Sequence, residues 1–145
     1  LCANVIGQEI FGALAHESHY DLEIWYQTQR DYYRELMLPL RENLLNLIPG
    51  LIVTSPEAAI YFIIDFKNIC NDSFNAIDFV QFCALKGKVN IEGKDYTLLL
   101  APMAGFYSDP EKGKTQMRVA MVEPMYLIEK MPQLLSELYN SYLQL

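Results

Sequence analysis

Hydrophobic and polar residues alternate with a period of two along a short stretch in the last third of the chain. This period places Arg118 on one face of a predicted strand, and Met117, Val119 and Met121 on the other. A loop that contains Asp-Pro and Gly separates this strand from a second apolar run at residues 98–101. The pattern therefore predicts a β-loop-β unit with a single charged residue, Arg118, on one apolar strand.

Longer periods and turn residues predict the other elements. They are a helix over residues 3–15, a long helix over 21–48, a strand over 59–66 that is covered on both faces, a helix over 77–85, a turn or small hairpin over 88–95 that leads into a strand, and a last helix that begins at Pro124. Asp21 and either Asp72 or Ser73 are the predicted N-caps. Pro39 should kink the long helix near residues 35–38, and Pro132 should bend the last helix or divide it in two. This order predicts an α/β fold of the α+β type, with a small, mostly antiparallel sheet packed against helices.

Arg118 is the residue that needs an explanation. A guanidinium does not lose its proton inside a protein, so it needs a carboxylate or phosphate partner or a route to water. Its planar fork suits bidentate binding of a carboxylate. Two interpretations follow, a structural ion pair with Asp65 on the apolar strand at 59–66, or a site for the carboxylate of a substrate. The pattern alone leaves both open.

Composition limits the class of protein. The 145 residues are 52% hydrophobic, which is one domain's worth of material with a real core. No apolar run reaches the roughly 20 residues needed to span a bilayer, so membrane insertion is not expected. The net charge of −7 without a basic cluster argues against nucleic acid as a partner. Three cysteines without a CxxC pair predict free thiols in a reducing cytoplasm.

Two short motifs invite a chemical interpretation that their spacing does not support. His16 and His19 enclose Glu17, but the zinc-protease motif needs one more residue between the histidines, so no metal site is predicted. The sequence Gly113-Lys114 followed by Thr resembles the end of a phosphate-binding loop, yet a strand follows it where that motif requires a helix. We interpret the glycine as a turn residue.

Three stretches resemble the class I/II, fold type I, pyridoxal-phosphate-dependent aminotransferases. They are LCANVIGQEIFGALA, IPGLIVTSPEAAIYFIIDF and LLLAPMAGFYSDPEKGKTQMRVAMVEP. In that family a loop with Pro, Gly and an aromatic residue precedes a strand whose arginine binds the substrate α-carboxylate, and Arg118 is the matching position. The resemblance implies that residues 1–50 link a large domain to a small C-terminal domain over residues 51–145. It also places Phe106 and Tyr107 at the rim of the substrate pocket.

The same resemblance implies a cofactor that this chain does not hold by itself. The family transfers an amino group between an amino acid and a 2-oxo acid through pyridoxal 5'-phosphate, which a lysine in a Ser-x-x-Lys setting anchors. None of the lysines in this sequence stands in that setting, and the chain starts at Leu1 instead of Met. We therefore expect a C-terminal fragment of a cytoplasmic, homodimeric enzyme that is inactive alone, with no catalytic or cofactor-binding residue of its own.

Two other functions remain open at this stage. The chain could be a non-catalytic binding or oligomerisation module, in which Arg118 only pairs with Asp65 and the aromatic residues form a protein interface. It could also come from a related pyridoxal-phosphate lyase or synthase, since a fold and a carboxylate contact do not fix the reaction.

Overall fold

The structure, a computed structural model, describes residues 4–144, and these form two compact units that divide between Glu35 and Leu36. The first unit contains helix α1 (Val5–Ala13), a 3-10 turn (Leu14–His16) and the beginning of helix α2 (His19–Leu47). The second unit contains the end of α2, the sheets and the remaining helices. The functional division expected at residue 50 stays a prediction.

Helix α2 starts two residues earlier than predicted, because Ser18 and not Asp21 caps it. The Ser18 hydroxyl accepts a hydrogen bond from the backbone N–H of Asp21 and donates one to its carboxylate. This reciprocal arrangement resembles a capping box and satisfies a donor that the first turn of a helix leaves free. Pro39 lies inside the helix, which continues to Leu47.

A four-stranded antiparallel sheet forms the centre of the second unit, as the sequence predicted. Its strands are β1 (Ile52–Val53), β2 (Tyr61–Asp65), β5 (Ala101–Pro102) and β6 (Gln116–Ala120), in the spatial order β1-β2-β6-β5. A separate hairpin pairs β3 (Val89–Ile91) with β4 (Lys94–Tyr96). Its turn residues Glu92 and Gly93 both have positive φ, 54° and 80°, the combination of a type I′ turn. The predicted β-loop-β unit is thus present, with a first strand of only two residues.

Strand β2 is fully covered on one face and only partly covered on the other, where Asp65 is buried, so the expectation of two covered faces was wrong at Tyr61 and Ile63. Phe62 and Ile64 are buried, whereas Tyr61 on the other face is 42% exposed and Ile63 is half-buried. A continuous apolar run does not distinguish a strand buried on both faces from one whose second face carries a partly open site. The half-open face of β2 is the face that also carries Arg118 of β6.

Helices and an aromatic cluster cover the buried face. Helix α3 (Ala76–Leu85) is capped by Asn75, and not by Asp72 or Ser73. The side-chain oxygen Oδ1 of Asn75 accepts a hydrogen bond from the backbone N–H of Ile77 at 2.8 Å. The last helical region is divided as predicted at Pro132, into α4 (Met125–Ile128) and α5 (Met131–Tyr142). Ring centroids lie 4.7 to 6.5 Å apart within a cluster formed by Phe66, Phe74, Phe79, Phe82, Tyr139 and Tyr142.

Candidate functional site

Arg118 lies at the centre of an interior strand, where both neighbouring strands fix its backbone. The register pairs it with Ile63 of β2 on one side and with Ala101 of β5 on the other. Because directly paired residues project to the same face of a sheet, Tyr61 and Ala101 lie on the face of Arg118. Met117 and Val119 project to the opposite face and are buried, which confirms the alternation predicted for this strand.

The guanidinium of Arg118 lies between two aromatic rings. Its central carbon is 5.2 Å from the ring centroid of Tyr61 and 5.2 Å from that of Phe106. Both distances are within the range of cation–π attraction. The two rings, one on a neighbouring strand and one on the loop before β6, therefore stabilise the charge without neutralising it.

Arg118 has no acidic partner among the residues that the structure describes. No carboxylate of this part of the chain lies within 4.0 Å of its nitrogens, and its Nε atom is buried without a hydrogen-bond acceptor. A buried donor without an acceptor costs about 1–3 kcal/mol, so such a group calls for an explanation. A ligand carboxylate would supply the missing acceptor.

The structural ion pair with Asp65 is not formed. Asp65 is 8% exposed, and its carboxylate accepts hydrogen bonds from the Thr115 hydroxyl at 2.6 Å, the Gln116 side-chain amide at 2.9 Å and the backbone N–H of Lys67 at 2.9 Å. The register explains this choice, because Asp65 faces Gln116 directly and Arg118 is two residues further along β6. The interpretation of Arg118 as the partner of Asp65 was therefore wrong.

The loop between β5 and β6 carries the two residues that were predicted at the pocket rim. Phe106 ends a 3-10 turn (Ala104–Phe106) and is 60% exposed, with its ring against Arg118. Tyr107 is half-buried, and its hydroxyl donates a hydrogen bond of 2.7 Å to the side-chain oxygen of Gln116. Their assignment as rim residues stays a prediction, but both lie next to the guanidinium or to a residue on its face.

Tyr61 and Gln116 also belong to this site, although neither was predicted from the sequence. Tyr61 stands in a continuous apolar run, where an aromatic residue is usually a core residue. Gln116 shares the period-two face of Arg118, which was a usable signal, but its partner Tyr107 is nine residues away along the chain. Only the fold of the loop brings these groups together.

The described residues do not fit pyridoxal phosphate. Such a site needs a lysine in a sheltered position, and five of the lysines are exposed. The other two are engaged elsewhere: Lys114 donates to the backbone oxygen of Asp72 at 3.3 Å, and Lys130 lies 3.6 Å from the carboxylate of Glu92. We therefore derive no chemical step through this cofactor from the residues of this chain.

Residues 4–144 contain no candidate cluster of metal ligands and no candidate membrane-spanning helix. His16 ends the 3-10 turn and His19 begins α2, and within residues 4–144 no three potential ligands come together in a group that could hold a metal ion. In the same range, no helix combines the length and the apolar character that crossing a bilayer requires.

Comparison with known proteins identifies the fold. No protein-family model matches the chain, and neither does any curated protein. The solved structures that match include a probable N-succinyldiaminopimelate aminotransferase from Thermus thermophilus, at 22% identity and a TM-score of 0.53. They also include YbdL from Escherichia coli, for which a methionine aminotransferase function is described, at 17% identity and a TM-score of 0.55.

The alignments cover 73% and 77% of this chain, but only 23% and 26% of the respective structures. The chain thus spans about a quarter of the length of the aminotransferases that it matches. Its α+β fold, a small antiparallel sheet with helices, is the fold of a portion of these enzymes. The predictions of fold class and of a structural relation to aminotransferases are confirmed, and they agree with an aminotransferase C-terminal domain.

Proposed function

We propose that this chain is the part of a pyridoxal-phosphate-dependent aminotransferase that binds the substrate α-carboxylate, and that Arg118 makes this contact. The observation that carries the proposal is the state of the guanidinium. It is flanked by two rings, it lacks an acidic partner in the described chain, and its Nε is buried without an acceptor. A charge kept in this state fits an anionic ligand better than a structural role.

Arg118 can bind both substrates of an amino-group transfer through one contact. An amino acid and a 2-oxo acid share the α-carboxylate, so a single guanidinium serves both substrates. The rings of Tyr61 and Phe106 each lie 5.2 Å from the central carbon of the guanidinium. Neither ring accepts a conventional hydrogen bond, so the guanidinium keeps its donors for a bidentate contact with a carboxylate. Pyridoxal phosphate, held by residues outside this chain, would supply the electron sink for the transfer.

A carboxylate titration followed by NMR tests the proposal. Acetate, added at constant ionic strength with chloride as the reference anion, should shift the Nε–H resonance of Arg118 as the N–H gains an acceptor. Arg118→Lys keeps the charge but loses the fork, and it should weaken acetate binding about tenfold or more when both proteins are followed at the backbone N–H resonance of residue 118. An Arg118 resonance that responds equally to acetate and chloride would contradict the proposal.

The proposal also places the anchoring lysine of the cofactor outside this chain. We therefore expect that mixing the chain with pyridoxal phosphate and separating free cofactor by gel filtration leaves no stoichiometric adduct. Surface lysines react weakly and reversibly, and they should release the cofactor on dilution. A stable adduct with one cofactor per chain would show that a lysine of this chain anchors it.

In the whole protein, the reaction itself separates the candidate classes. A transaminase converts the added 2-oxo acid into its amino acid, while a pyridoxal-phosphate lyase or synthase that uses the same carboxylate contact leaves it unchanged. We propose the transaminase, in a homodimeric protein with amino acid and 2-oxo acid substrates, because the two solved structures named above are described as aminotransferases.

A second candidate function is a protein-interaction module. Its support comes from the first unit, where large apolar side chains are exposed, including Ile6 at 71% and Phe11 at 76%. An exposed apolar set of this kind marks an interaction surface. If it dominates, the chain should self-associate in analytical ultracentrifugation, and Ile6→Ser with Phe11→Ser should restore the monomer, whereas Leu85→Ser in the second unit, 80% exposed, should not.

A further inference from the structure

A chain of side-chain hydrogen bonds joins the loop that carries Phe106 to a buried carboxylate. The Tyr107 hydroxyl donates to Gln116 Oε1 at 2.7 Å, and Gln116 Nε2 donates to Asp65 Oδ2 at 2.9 Å. Asp65 is 8% exposed, so this carboxylate is sheltered from competing water. These hydrogen bonds end on the central sheet, where Asp65 of β2 and Gln116 of β6 are directly paired.

Chemistry fixes the direction of every bond in this chain. A carboxylate only accepts hydrogen bonds, so the amide NH2 of Gln116 must point to Asp65 and its carbonyl oxygen to Tyr107. The phenol must then donate. The second carboxylate oxygen of Asp65 accepts from Thr115 and from the Lys67 backbone, which stops the carboxylate from rotating.

These side-chain hydrogen bonds attach the loop to the sheet at Tyr107, the residue that follows Phe106. Backbone hydrogen bonds hold the loop before Phe106. The Met103 N–H donates to the backbone oxygen of Gln116 at 3.0 Å, and the Phe106 N–H donates to the backbone oxygen of Met103 at 2.9 Å. After Phe106 the backbone bond is weak, with 3.5 Å between Tyr107 N and Ala104 O. The phenol of Tyr107 therefore supplies the strong attachment on this side.

We propose that Tyr107, acting through Gln116 and Asp65, is a positioning residue that holds the Phe106 ring over the Arg118 guanidinium and thereby sets the affinity of Arg118 for a carboxylate. The second half of this statement rests on the proposed function. Without the attachment, the exposed Phe106 ring leaves the guanidinium, which gains water and loses its fixed orientation.

NMR of the free chain tests the positioning by itself. An N–H that lies over an aromatic ring is shifted by the ring current, so the Nε–H resonance of Arg118 reports the place of Phe106. Tyr107→Phe should move this resonance toward its position in Phe106→Ala, and Gln116→Met, which breaks the same attachment differently, should do the same. Tyr126→Phe, at a tyrosine that is 62% exposed, is the control and should leave it unchanged.

Acetate titration then tests the consequence for binding. We expect Tyr107→Phe to weaken acetate binding about threefold, the value of one ordinary hydrogen bond. In a chain that already carries Phe106→Ala, Tyr107→Phe should have no further effect, because its influence passes through the ring. An equal loss in both backgrounds would overturn the proposal.

The two experiments separate the failure of this inference from the failure of the proposed function. If the wild-type chain ignores acetate but Tyr107→Phe moves the Arg118 resonance, the positioning holds and the carboxylate site is wrong. If acetate binds and Tyr107→Phe leaves both the resonance and the affinity at their wild-type values, the carboxylate site holds and the positioning role is overturned.

Discussion

At the scale of the residue, the two charged groups that the sequence offered as one possible ion pair lie in different environments. Arg118 lies between aromatic rings, and Asp65 is saturated by a hydroxyl, an amide and a backbone N–H. The sequence identified Arg118 as the residue to explain, because an arginine on an apolar strand is rare. The sequence could not assign the partner of Asp65, because that partner depends on the strand register. A shift of two residues between β2 and β6 would place Arg118 opposite Asp65 in the position that Gln116 occupies.

Substitution of Asp65 should lower the free energy of unfolding more than substitution of Arg118. Arg118→Ala removes two cation–π contacts and no ion pair, so we expect a loss of only about 1 kcal/mol in the free energy of unfolding. Asp65→Ala leaves three donors without an acceptor and should cost about 3 kcal/mol. Urea denaturation measures both, and Asp72→Ala, at an exposed aspartate whose carboxylate makes no hydrogen bond within the described residues, is the control.

A loss of several kcal/mol in Arg118→Ala would contradict this prediction. Such a loss would mean that Arg118 stabilises the fold through an interaction other than its two cation–π contacts. The carboxylate titration would then be the deciding experiment for its role.

At the scale of the element, periodicity was a reliable guide to type and a poor guide to ends and faces. It predicted the helices, the hairpin and the division of the last helix at Pro132, because these depend on local spacing and backbone chemistry. The caps were misplaced at both helices for which one was named. Ser18 and Asn75 each have another capping-type residue within three positions, and only the hydrogen bonds distinguish them.

Gly113 shows how closely one element depends on another. A Cβ atom at this position would lie 2.5 Å from the backbone carbonyl carbon of Met103, in the loop segment that leads to Phe106. Gly113→Ala should therefore cost about 2 kcal/mol through overpacking and should also disturb the Arg118 resonance. Gly105→Ala, in the same loop with open space around its Cα, should change neither.

Thermal unfolding and the NMR spectrum together measure this prediction. Equal stability of the two alanine variants would show that the loop can move away from residue 113 without cost. In that case the backbone of Met103 would be less firmly held than its hydrogen bond to Gln116 indicates.

At the scale of the whole molecule, the fold class was predictable because two independent signals agreed. The order of apolar periods gave an antiparallel sheet with helices, and the resemblance of three stretches gave the same arrangement. The exposure of apolar side chains in the first unit was not predictable. Its apolar residues read as a core stripe in the sequence, yet Trp25 is 57% exposed and Tyr32 is 43% exposed. Periodicity reveals that a face is apolar but not what covers it.

The core of the second unit should make stability sensitive to high pH. Burial raises the pKa of the Cys83 thiol from 9.0 to about 11, so the folded state holds this proton more tightly than the unfolded state. Its contribution to stability is complete below pH 9.0 and is lost as the pH rises towards about 11. Between about pH 8 and about pH 10, wild type should lose about 1 kcal/mol more than Cys83→Ala.

Urea denaturation at a series of pH values measures this difference. Tyr139 and Tyr142, whose pKa values are also raised by burial, titrate in both proteins and cancel in the comparison. Parallel pH curves for wild type and Cys83→Ala would show that the thiol ionises as easily in the folded state as in the unfolded chain.

Strand β6 has a hydrogen-bonded neighbour on each side, and this restricts how such a site can diversify. The Cα of Arg118 cannot shift without breaking two ladders, while Phe106 and Tyr107 lie between the strands, on the loop that joins β5 to β6. Under the proposed function, a change of ligand preference over evolutionary time would therefore come from substitutions in that loop, and not from a displacement of Arg118.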